Sequence, residues 1–117
     1  MGGSKESNKT RHKIKIVSMS YRVVFHPIAE SEYQEAYLWY EDQLKGLGNR
    51  FEDAVEVRLN QILIRPLLYS KKRGVFREAK MDAFPFQIVY KIYEKDKTIF
   101  VSAIYHSSRN PKKKYRN

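Results

Sequence analysis

From Phe84 to Arg109 the chain reads FPFQIVYKIYEKDKTIFVSAIYHSSR, with strand-forming residues at every second position on both sides of Glu94-Lys95-Asp96-Lys97. Two such runs joined by a short charged loop predict a β-hairpin. Pairing Tyr93 with Thr98 gathers Phe86, Ile88, Tyr90 and Ile92 with Ile99, Val101, Ala103 and Tyr105 on one apolar face. That face suits a core. The opposite face is mixed: Gln87, Val89, Lys91 and Tyr93 stand with Thr98, Phe100, Ser102, Ile104 and His106. A histidine closes it where the chain turns basic.

Upstream, Tyr21 to His26 alternates and predicts a first strand. Pro27 ends it, and Glu30 and Glu32 suit the positive end of a following helix. From Ile28 to about Leu44, the residues Ala29, Tyr33, Ala36, Tyr37, Tyr40 and Leu44 fall on one helical stripe. Lys45-Gly46-Leu47-Gly48 turns the chain. A second helix runs from about Asn49 to Ile64, with Phe51, Val55, Leu59 and Ile62 inward and Pro66 as its stop. So short a connection makes the helices an antiparallel pair. A further strand is expected near residues 74–81, where the alternation leaves the buried side open. The fold class is therefore α+β, in the order β-α-α-β-β-β, with an antiparallel sheet carrying a helical hairpin on one face. Residues 19–117 form a single domain. Residues 1–18, basic and poor in core-forming side chains, read as a flexible extension.

At 117 residues the chain supports one modest core, and 42% hydrophobic content argues for a globule. The net charge of +10 favours polyanionic partners, nucleic acid or an acidic protein, over a merely solvated basic surface. The charge sits at the ends. Lys5, Lys9, Arg11, Lys13 and Lys15 open the chain, and Arg109, Lys112, Lys113, Lys114 and Arg116 close it. Without cysteine there is no disulfide framework or zinc ribbon, and a cytoplasmic location fits. No apolar run approaches the roughly 20 residues of a membrane span. No secretory signal is expected either. Dinucleotide, P-loop, zinc-protease and serine-hydrolase motifs are missing, and His12, His26 and His106 are not at metal-ligand spacing. No cofactor or metal is therefore expected.

The paired carboxylates Glu30/Glu32 and Glu52-Asp53 read as solvated helix faces. The remaining chemistry lies near the C-terminus in His106, Arg109, Tyr115 and their lysines, together with Arg77. A metal-free ribonuclease needs a base for the 2′-hydroxyl, an acid for the leaving oxygen and cations for the phosphorane. These residue types supply all three. The same residues also fit a strand end followed by a solvated charge run.

Four pieces carry a resemblance. They are Trp39-Tyr40-Glu41 and Gly46 to Phe51, both within YRVVFHPIAESEYQEAYLWYEDQLKGLGNRF, then Phe84–Tyr93, and His106 to Pro111. In this order they resemble the RelE/ParE superfamily of bacterial type II toxin–antitoxin toxins, especially the ParE-like branch also labelled plasmid stabilisation proteins. The resemblance covers about Tyr21 to Arg116. It implies two helices on an antiparallel sheet, and a cognate antitoxin protein whose acidic-amphipathic segment wraps the toxin. Lys71, Lys72, Arg73, Lys112, Lys113, Lys114 and Arg116 are the expected partner or nucleic-acid contacts. ParE-like members inhibit DNA gyrase, and RelE-like members cut mRNA in the ribosomal A site. On the nuclease reading His106 is the acid or base, Arg109 and Arg77 hold phosphate, and Tyr115 orients or protonates. Gln87 departs from that pattern, because it falls where the nuclease branch carries a basic residue. Three readings follow: a ParE-like gyrase inhibitor, a RelE-like mRNA endonuclease, and an antitoxin-binding module without toxicity.

Overall fold

The charged loop Glu94–Lys97 joins β4 (Phe86–Tyr93) to β5 (Thr98–His106), and Tyr93 stands opposite Thr98 as the alternation predicts. These strands form the centre of the sheet in a computed structural model that describes residues 21–108 and 114–117. The other elements are β1 (Arg22–Phe25), α1 (Pro27–Gln43), α2 (Leu47–Ile64), β2 (Lys71–Arg73) and β3 (Phe76–Lys80). The spatial order is β1-β5-β4-β3-β2, with β1 parallel to β5 and every other pair antiparallel. Both helices cover one face. Their Ala29, Ala36, Phe51, Val55, Leu59 and Ile62 close on Ala79, Ile88, Tyr90, Ile99 and Val101 of the sheet. Leu44 departs from the predicted stripe. It lies just past α1 and is 58% exposed.

The hairpin register holds from Tyr93 back to Tyr90 opposite Val101, and then slips. Val89 faces Ala103 and Ile88 faces Ile104, leaving Ser102 as an extra residue. A single added residue reverses the face of every side chain beyond it. Ala103 and Tyr105, expected in the main core, instead join Phe76 and Val89 in a smaller cluster on the back of the sheet. Ile104 and His106 turn to the helix side, with Ile104 in the main core.

Local chemistry fixes the helix ends. His26 caps α1 by accepting the Ile28 amide at 3.0 Å, and Pro27 opens the helix without needing a donor. The N-cap of α2, Gly46, has φ +90° and no side chain to offer. Glu41 of α1 reaches over instead, accepting from the Gly46 and Gly48 amides at 2.9 Å each. A negative group at the positive end of α2 adds to this cap. Before β3, Lys71–Arg73 forms an additional short edge strand rather than a loop, and all three side chains are exposed. Three cations on an edge oppose pairing with another sheet. Among the described residues, no helix is long and apolar enough to cross a membrane.

Candidate functional site

The extra residue in β5 is also where the C-terminal segment docks. Buried Ser102 donates through Oγ to the Lys114 carbonyl at 2.7 Å and accepts from the Arg116 amide. The Arg116 guanidinium donates to the Ser102 carbonyl at 2.8 Å and reaches Glu32 of α1 with two bonds, at 2.8 and 3.2 Å. Glu32 in turn accepts the Ile104 amide at 3.0 Å. Beyond Val101, β1 no longer covers β5. The Glu32–Arg116 pair therefore satisfies backbone groups on this stretch of β5 where the neighbouring strand has left.

This anchoring carries Lys114 and Tyr115 onto the back face, away from the helices. Lys114 pairs with Glu78 at 3.1 Å, and the Tyr115 hydroxyl donates to the same carboxylate. Burial first, then the bond to Glu78, pushes the Tyr115 phenol up to about 12, so it remains a donor at neutral pH. Its ring packs on Phe76 and lies 5.3 Å from the Arg73 guanidinium. Buried Lys91 lies over the rings of Phe76, Tyr93 and Phe100 and donates to the Asn117 side chain. A groove of about 760 Å³ opens beside them, lined by Lys72, Glu78, Lys80, Gln87, Lys114 and Tyr115.

A second groove, of about 870 Å³, lies on the helix side between α1 and the end of β5. Trp39, Tyr40, Phe86 and His106 give it aromatic walls, and Glu35 and Arg116 give it charge. His106 stands edge-on to Phe86 at 5.0 Å, and its Nδ1 accepts the Ser108 amide at 3.1 Å. That bond puts the proton of the neutral ring on Nε2.

Among the described residues, the predicted catalytic groups His106, Tyr115 and Arg77 are thus not brought together. His106 lines the helix-side groove, and Tyr115 lies across the sheet on the back face. Arg77 stands opposite Tyr90 and donates to the Tyr69 carbonyl at 2.7 Å. Tyr90 itself donates to the Pro66 carbonyl at 2.6 Å, so both side chains tie the segment after α2 to the sheet. Arg109, Lys112 and Lys113 lie outside the described residues. Of the expected contact residues, Lys71, Lys72 and Arg73 are exposed. Lys114 is buried in an ion pair, and Arg116 serves as a clamp. Sequence reasoning gave no site role to Glu78, Lys80 or Ser102, and it read Glu32 as part of a solvated helix face, whereas Glu32 is largely shielded by its pairing with Arg116 and the Ile104 amide. Period-two reading of β3 puts Glu78 and Lys80 on one side with Phe76, but nothing local indicates that the C-terminal segment covers that side.

Residues 23–111 match the sequence model of a family described as ParE toxin of type II toxin-antitoxin system, parDE. No curated protein gives a significant match. Among solved structures, the isolated E. coli RelE toxin is similar at 19% identity and a TM-score of 0.59, covering 77% of this chain and 87% of that one. A double arginine-to-alanine mutant of E. coli RelE in the free state gives 19% identity and a TM-score of 0.58, covering 77% and 86%. At this identity the likeness concerns the fold: two helices on a five-stranded, mostly antiparallel sheet.

Proposed function

The chain belongs to the ParE toxin family of type II toxin–antitoxin systems, and from this we propose that it arrests growth as a non-enzymatic inhibitor, by binding DNA gyrase. Its family implies an antitoxin partner that neutralises it. The observation that carries the choice of target class is the division of the nuclease inventory between two faces of the sheet. General acid–base cleavage needs its groups within hydrogen-bond reach of one phosphodiester. Here His106 and Tyr115 open into different grooves. Arg77 is held by the Tyr69 carbonyl, and the Tyr115 hydroxyl is held by Glu78. A protein-binding surface needs no such convergence. Exposed Lys71, Lys72 and Arg73 on an edge strand offer one to an acidic partner.

The test is pulsed induction of the chain in a bacterial host, followed by plasmid supercoiling and mRNA 5′ ends from the same cells. Relaxed plasmid with intact mRNA is expected. New codon-phased mRNA ends with normal supercoiling would replace this reading with the ribosomal nuclease. Arrest with neither change would point to another target, and normal growth with the antitoxin still bound would identify a non-toxic module.

A further inference from the structure

Three lysines and one carboxylate line the back-face groove: Lys72, Lys80 and Lys114 around Glu78. Cations beside a tyrosine ring are what a single-stranded nucleic acid backbone binds. Glu78 stands in the middle of that surface. Its side chain is 9% exposed and that of Lys114 11%, with 3.1 Å between their charged atoms. Tyr115 gives its hydroxyl to the same carboxylate. Lys114 also lies over the Tyr105 ring at 5.0 Å and 3.4 Å from Gln87 Oε1. The deepest cation of the groove and its phenol are thus both engaged by an internal anion.

We infer that Glu78 is a specificity-determining residue, an internal counter-ion that keeps the back-face groove closed to nucleic-acid phosphates. A phosphate that reached Lys114 would come within a few ångström of the Glu78 carboxylate. Like charges so close repel strongly where water is largely excluded. Displacing the carboxylate instead would leave a buried charge without its lysine, which is also unfavourable. Glutamine at this position keeps the shape and still accepts from Tyr115, but leaves the Lys114 charge for an outside anion. The lysines of the rim then act together with Lys114 instead of around a negative centre.

The experiment uses the full chain and a fluorescent single-stranded RNA oligonucleotide, with anisotropy read over a salt series. Glu78→Gln is expected to bind at least about tenfold tighter than wild type at low salt. Its log affinity against log salt should be steeper by about one, for one added phosphate contact. Equal affinity and equal slope in a folded Glu78→Gln variant would overturn the inference. Exposed Lys72 gives a second reading that does not depend on how Glu78→Gln folds, with exposed Lys71, which is outside the groove lining, as its reference. With Glu78 in place, Lys72→Gln is expected to weaken RNA binding no more than Lys71→Gln, each losing one general cation. A severalfold greater loss in Lys72→Gln would mean that the groove already holds RNA beside the charged carboxylate, and would also overturn it. Gyrase inhibition is measured separately, so failure of the target proposal and failure of the role given to Glu78 are distinguishable.

Discussion

Glu41 holds the two helices in register from a single position. Its carboxylate takes amides from Gly46 and Gly48 and so replaces the side-chain cap that α2 lacks. Gly48 must be glycine for the same reason. A Cβ there would stand 2.8 Å from the Tyr37 carbonyl and 2.9 Å from Glu41 Oε1. The Trp39-Tyr40-Glu41 and Gly46–Phe51 stretches are therefore one device, in which a carboxylate meets a glycine turn. Glu41→Ala should destabilise the fold by about 1.5–3 kcal/mol, the range for hydrogen bonds to a charged group. Urea denaturation checks this, and an unchanged midpoint would show that water replaces the cap. Tyr115 has a different signature. Its phenol is raised from 10.0 to about 12, so the folded state favours the protonated form. That contribution is complete below pH 10 and is lost as pH rises through about 12. Burial raises Tyr33 and Tyr90 as well, so alkaline destabilisation persists without Tyr115. Between pH 10 and 12, wild type should lose stability more steeply than Tyr115→Phe. Parallel curves would mean that neither burial nor the bond to Glu78 holds the phenol in its protonated form.

At the scale of elements, helices and strands were legible because their periods are written in the chain. Phe51, Val55, Leu59 and Ile62 recur on one side of α2, and all four are buried. The loop Glu94–Lys97 was legible too, because charge interrupts two alternating runs. The extra residue in β5 was not. Ser102 looks like any polar member of an alternating strand, and its reason for being unpaired lies twelve residues later, where its Oγ meets Lys114. That slip moved His106 to the helix side and separated it from Tyr115, so most of the candidate site was hidden with it. β2 was hidden for the opposite reason, because Lys71-Lys72-Arg73 has no strand-like composition. Ser102→Ala is expected to cost about 1–3 kcal/mol, since it strands the Lys114 carbonyl and the Arg116 amide. Hydrogen exchange at Arg116 should speed up in the same variant. Unchanged stability and exchange would show that the C-terminal segment is anchored elsewhere.

For the whole molecule, the fold separates two surfaces that the sequence alone merged. One side carries the helices and an aromatic groove containing His106. The other carries a basic groove with a carboxylate built into it. The net charge of +10 draws the chain toward acidic partners at long range, and this steering weakens with salt. Within the superfamily one architecture hosts unlike activities, so the decision rests with side chains and not with topology. The most direct measurement is supercoiling by purified DNA gyrase titrated with the purified chain. Inhibition that deepens with added protein and survives His106→Ala is the expected result. Full supercoiling at a large excess of folded chain, with mRNA cleaved on ribosomes until His106→Ala abolishes it, would contradict a non-enzymatic gyrase inhibitor.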